Sequence, residues 1–192
     1  MPASAQQYET LDHPVGEFRP YHRDSGPLAN EAAAARTLFI EDIRIEDAAW
    51  IRVYFTDTAL ARGSFVRIRS RLDGEVQVLD ADSMAMWGST SAYFNGDTVT
   101  VVLVGGATTR GNRLVIDRVA VEMPAAAAGG AGQCGICGPS DNRVPSSENL
   151  TSRLLPAGCT ASVYSEDSCM VSAGHCVGGN MVVQFNVPSS ND

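Results

Sequence analysis

The residues best able to do chemistry lie near the end of the chain, in Ser172-Ala173-Gly174-His175-Cys176. Histidine takes up and returns protons near neutrality, so it is the usual base for activating a hydroxyl nucleophile. The competing reading of the same string is an ordinary turn histidine beside a structural cysteine. All five cysteines (Cys134, Cys137, Cys159, Cys169 and Cys176) fall in the last third of the 192 residues. Cys134-Gly135-Ile136-Cys137 has the spacing of a redox or zinc pair, but zinc needs a second pair of ligands. The spare histidines, His13 and His22, sit far up the chain. Disulfides therefore account for these cysteines better than a metal, and no cofactor is called for. Clustered cysteines point to an oxidising, secreted setting. The odd count leaves one thiol over or a partner outside the chain, and Cys169 can bridge to Cys134 or Cys137 as far as spacing goes.

These residues need elements to hold them, and the signal along the chain is β. From Thr37 to Met123, runs of alternating or β-branched residues recur: Leu38–Ile45, Trp50–Phe55, Phe65–Ile68, Val76–Leu79, Asp97–Val104 and Leu114–Val121. Alternation with period two is what a half-buried strand needs, and Gly, Asn and Asp punctuate the runs as turns do. An antiparallel β-sandwich over 37–123 is expected, with one short helical turn at Asp82–Trp87. Trp50, Phe55, Phe65, Trp87, Tyr93 and Phe94 are the expected core anchors. Residues 1–36 mix Pro, Gly, Gln and charge without periodicity and read as a disordered arm, with a short helix conceivable at Asn30–Arg36. Residues 124–136 open with PAAAAGGAGQ, the composition of a linker.

The protein carries a net charge of −8, and all 14 of its cations are arginine. The balance is spread along the chain with no basic stripe, which disfavours nucleic acid as a partner. No apolar run approaches the length of a membrane span.

The C-terminal residues resemble the start of a trypsin-like, chymotrypsin-fold serine protease. Ser172-Ala173-Gly174-His175-Cys176 is similar to the T-A-[AG]-H-C motif that carries that family's catalytic histidine. Gly158-Cys159-Thr160 resembles the family segment whose cysteine bridges to the one after the histidine. Gly138-Pro139-Ser140-Asp141-Asn142-Arg143 resembles the G-[ST]-D-[DN]-R start of the bacterial glutamyl-endopeptidase, V8-like branch. The resemblance covers about residues 137–188 and implies an incomplete first barrel over 137–192, a Cys159–Cys176 disulfide and His175 as general base. Such a bridge would fix the turn that carries the histidine. It would close a loop of about 16 residues and stabilise by about 3 kcal/mol.

The family pattern is only partly met. No G-D-S-G string occurs, the only Asp after His175 is Asp192, and 43 residues from Leu150 to Asp192 cannot make two six-stranded barrels. The chain reads as the front part of a longer protease and should be inactive by itself, for want of a nucleophile and an oxyanion hole. Arg143-Val144 is a weak processing-site match, and Asn149-Leu150-Thr151 is a glycosylation sequon. The N-terminus has no basic and apolar signal regions; Ala3-Ser4-Ala5 has the A-x-A form of a cleavage site, which reads either as three small residues in an Ala-rich chain or as the remnant of a lost signal peptide. The partner implied by the resemblance is a protein or peptide substrate of the full-length parent. Two other functions compete: a sandwich that binds carbohydrate, polymer or surface with a vestigial tail, and a prosegment that masks a protease cleft.

Overall fold

A computed structural model describes residues 16–122, 148–155, 159–176 and 181–185. The expected linker 124–136, Cys134, Cys137, the Gly138–Arg143 string, Arg143-Val144 and Gly158 lie outside the described residues. Those described fall into two compact units, one within Gly16–Pro124 and one in the C-terminal part. The protein is all-β and antiparallel, and among the described residues no helix is long and apolar enough to cross a membrane.

Two four-stranded sheets build the first unit. One runs β1 (Glu17–Asp24), β10 (Val115–Glu122), β4 (Trp50–Phe55), β7 (Thr90–Asn95); the other runs β3 (Arg36–Arg44), β8 (Thr98–Gly105), β5 (Phe65–Ser70), β6 (Val76–Leu79). A short pair, β2 (Leu28–Asn30) with β9 (Thr109–Asn112), lies beside them, and α1 (Ala81–Met86) follows β6. Asp80 caps α1 in a box with Ser83, one residue earlier than the sequence suggests.

Alternation along each strand delivers one face to a common core. Ile51, Val53 and Phe55 of β4 meet Val66 and Ile68 of β5, Val99, Val101 and Leu103 of β8, and Ile116, Val119 and Val121 of β10. Burying so much apolar surface is the main stabilising term. Polar side chains tie the sheets at their margins: Ser70 donates to the Asn95 carbonyl, and Gln77 Oε1 accepts from the Ala92 amide. The chain crosses itself closely at Gly106, where a Cβ would lie 2.8 Å from the Gly63 backbone.

Residues 16–36, expected within a disordered arm, are instead ordered. β1 pairs with β10 from Glu17↔Val121 to Asp24↔Val115. Its sequence, EFRPYHRD, is exposed at every position but Tyr21, so it buries no face that periodicity could reveal. Main-chain pairing and polar contacts hold it instead, and Pro20 is tolerated because β1 is an edge strand. Asn30–Arg36 forms no helix. The buried Asn30 amide donates to the carbonyls of Ala34, Gly105 and Gly106 and accepts from the Ala32 amide, which holds the segment as a loop.

Of the six expected aromatic anchors, five divide between two places, and Phe65 is only half-buried and not part of the common core. Phe55 and Phe94 lie in the common core, and Trp87 packs against it. Trp50 and Tyr93 are buried on the opposite face of their sheet, where their rings meet edge-to-face at 4.7 Å. There Arg52, 8% exposed, lies 4.8 Å above the Tyr93 ring. It donates to the Ser91 carbonyl and to the hydroxyls of Thr90 and Tyr93. Arg118, Tyr54 and Phe18 continue this alternation of guanidinium and ring out to β1. Burial pushes the Tyr93 hydroxyl up, and the Arg52 charge opposes the shift.

In the second unit, one antiparallel sheet runs β13 (Met170–Val171), β12 (Cys159–Val163), β11 (Thr151–Leu155), β14 (Val182–Phe185). Among the described residues, Leu154, Ala161 and Cys176 form a buried cluster packed by Cys159, Met170 and Met181, and Leu155 is buried as well.

Candidate functional site

The candidate site is the corner after β13. β11 and β12 form a hairpin in register Leu154↔Cys159 and Ser152↔Ala161, which sets Cys159 on the same face as buried Leu154. β12 continues through a turn at Ser165–Ser168, where the Ser168 amide donates to the Ser165 carbonyl and Ser168 takes φ 60°. The chain returns as β13, with Val163 opposite Met170. The small residues Ser172, Ala173 and Gly174 then let it tighten into a 3-10 turn over Gly174–Cys176.

Two attachments hold that turn. The Cys159–Cys176 disulfide joins it to the start of β12 with the Cα atoms 5.9 Å apart, well within bridging distance. Ser172 Oγ donates to the Thr160 carbonyl at 2.7 Å, and the Cys176 amide donates to the Ala173 carbonyl at 2.9 Å. His175 is the middle residue of this turn, between Gly174 and the half-buried-to-buried disulfide pair. A histidine so placed in the chain has its backbone fixed from both sides, which is the first requirement of a positioned general base. β14 closes onto the far edge of β11, with Leu155↔Val182 and Ser152↔Phe185, and Arg153 donates twice to Gln184 Oε1 across that pair.

Of the residues singled out in the sequence, the structure brings together Cys159, Cys176 and the turn containing His175. Cys169 stands apart as an exposed free thiol. The sequence reading missed Ser172, whose hydroxyl clamps the corner to β12. The signal available was only a hydroxyl residue three before the histidine. It also missed a group of arginines on β5, described below. Among the described residues, no cluster of three His, Cys, Asp or Glu side chains comes together in a form that could hold a metal.

Compared with family models, curated proteins and solved structures, the chain matches none of them.

Proposed function

We propose that this chain is the N-terminal part of a secreted trypsin-like serine endopeptidase of the glutamyl-endopeptidase, V8-like kind, with His175 as its general base. In this reading the two-sheet unit is an accessory β-sandwich, and the C-terminal sheet is the beginning of a chymotrypsin-like first barrel. One observation carries it: the sequence motif and the local geometry coincide. The Gly-His-Cys string falls on a tight turn at the end of a strand, and its cysteine is bridged to the strand two β-elements away that the resemblance names. A disulfide is compatible with the secreted setting. The sheet's own surface adds support. Val183 and Phe185 share a face with Leu154 and Ser152 but remain 37% and 40% exposed, which suits a sheet completed by further strands.

The histidine would take the proton of a serine hydroxyl and return it to the leaving amine. Both the serine and the orienting carboxylate would come from sequence beyond these 192 residues. The test is to express the open reading frame with its downstream sequence and assay hydrolysis of peptides cleaved after Glu. His175→Ala should lower kcat by about four to six orders of magnitude while the fold, monitored by circular dichroism, is unchanged. The 192-residue chain alone should give no turnover. Retention of activity within about tenfold, or about 1.4 kcal/mol of barrier, would remove His175 from the mechanism.

A further inference from the structure

The strand β5 reads Phe65-Val66-Arg67-Ile68-Arg69-Ser70 and is followed by Arg71. Val66, Ile68 and Ser70 are buried, so Arg67 and Arg69 share the exposed face. They line a surface groove of about 700 Å³ together with Arg71, Val76, Thr100 and Val102. The three arginines differ in how they are used. Arg71 pairs with Asp42 at 3.4 Å, and Asp42 also accepts from Thr100. Among the described residues, neither Arg67 nor Arg69 has a carboxylate or a hydrogen-bond partner. In a chain with 22 acidic residues against 14 arginines, two adjacent unpaired guanidinium groups in a groove are not explained by folding.

The surroundings restrict what could occupy them. β6 ends the sheet, with Val76 opposite Arg69 and Val78 opposite Arg67. Both valines are about half exposed, at 49% and 52%. No strand pairs with the other side of β6 among the described residues, so its outer main-chain groups are available to an incoming strand. Same-face residues of a strand are spaced about 6.8 Å, twice the rise per residue. Alternate side chains of an extended peptide have the same spacing. A peptide strand added beside β6 would lie about 9.6 Å from β5, two strand spacings away. Arg and Glu side chains together span that gap across the short valines. The guanidinium fork matches a carboxylate in two parallel hydrogen bonds.

The geometry points to a binding site for an extended acidic peptide, with Asp or Glu at alternate positions, added as a strand at the β6 edge and read by Arg67 and Arg69. A densely charged polymer is a poorer occupant, because the −8 charge of the whole chain repels it. A short segment with two or three carboxylates feels mainly the local arginines, since more distant charges are screened within about 8 Å at physiological salt. This site is independent of the protease reading.

The test uses the whole 192-residue chain and a fluorescein-labelled Thr-Glu-Val-Glu-Val-Glu-Thr peptide, followed by anisotropy, with hydrogen exchange of the β6 amides measured in parallel. Expected are saturable binding, at least tenfold weaker binding to the Gln-for-Glu peptide, and at least tenfold weaker binding by Arg67→Gln/Arg69→Gln. Both arginines are exposed, so that variant should melt with the wild type, and its melting curve is recorded alongside. Slower exchange at Val76–Leu79 on binding is also expected. No saturable binding, or equal binding by the double variant, overturns the site. Tighter, arginine-dependent binding of a heparin fragment or of single-stranded RNA overturns the peptide assignment, and unchanged β6 exchange in a bound complex overturns the added strand.

Discussion

The two units of this protein hold their strands together by different means. The first has two four-stranded sheets, a continuous apolar core with Ile43, Ile51, Val53, Val66, Ile68 and Leu103 fully out of solvent, and no cysteine. Among its described residues, the second has one sheet, a buried cluster of Leu154, Ala161 and Cys176, and a disulfide that ties Cys176 to the strand beneath. A covalent staple adds stability that does not depend on buried apolar area, whereas the first unit draws its stability from a core of ordinary size. The staple also lands where positional accuracy matters for the proposed chemistry. In the first unit no covalent link fixes a turn: hydrogen bonds such as those of Asn30 hold its loops, and its order is distributed over the core.

The strongest way to break this contrast is to open the large core. Phe94 is 3% exposed and packs among both sheets. Phe94→Ala should destabilise the first unit by about 3–5 kcal/mol, the range for a large aromatic removed from a packed interior. Urea unfolding of the fragment 16–124 would read it. A loss below about 1 kcal/mol would show that this core is looser than its burial implies.

A smaller effect should appear in the second unit alone. Its bridge spans a sequence separation of 17, for which restriction of the unfolded chain is worth about 3 kcal/mol. In the 192-residue chain, Cys159→Ser/Cys176→Ser or mild reduction should abolish protection from proteolysis between 150 and 185. The same treatment should leave the melting of the first unit unchanged. If both units lose protection together, the staple serves the whole chain and the contrast fails.

β5 was legible in the sequence because one of its faces is buried and the other is not. β4, β8 and β10 are buried over much of both faces and were legible through their β-branched and aromatic residues. β7 gave no strand signal: TSAYFN is buried on both faces except at Ala92, since Arg52 and Trp50 cover its outer side, and a strand covered on both faces loses its period. β1 was invisible for the opposite reason, being buried on neither face. The disulfide and the turn at His175 were legible only through a short motif, because two strands and a 3-10 turn carry too few residues for periodicity. The Arg67 and Arg69 pairing was present as an R-x-R alternation. Its meaning depended on knowing which neighbouring carboxylates were already taken, and that is set by register rather than by sequence.

β1 is therefore the exception inside the first unit, a strand attached by polar contacts where its neighbours are attached by the core, and it offers the smallest and most specific test. Its last residue, Asp24, accepts Arg113 Nε at 3.0 Å and Nη2 at 2.6 Å, and also the Gly26 amide at 2.8 Å. The Arg113 hydrogen bonds, followed by that amide, hold the Asp24 carboxyl down at about 2. A carboxylate depressed on folding favours the folded state above its unfolded pKa of about 3.9. That contribution declines as pH falls and is gone once pH passes below the folded value. Asp24→Asn should therefore speed hydrogen exchange of the β1 amides relative to wild type above pH 4, with the difference narrowing through pH 3 and vanishing near pH 2. Because the pair is exposed, 0.5 M salt should shrink the difference at neutral pH. A wild-type-to-variant difference that stays constant from pH 6 to pH 2 would place the effect in the shape of the Asp24–Gly26 turn rather than in its charge. The Asp24 charge would then contribute nothing to the hold on β1.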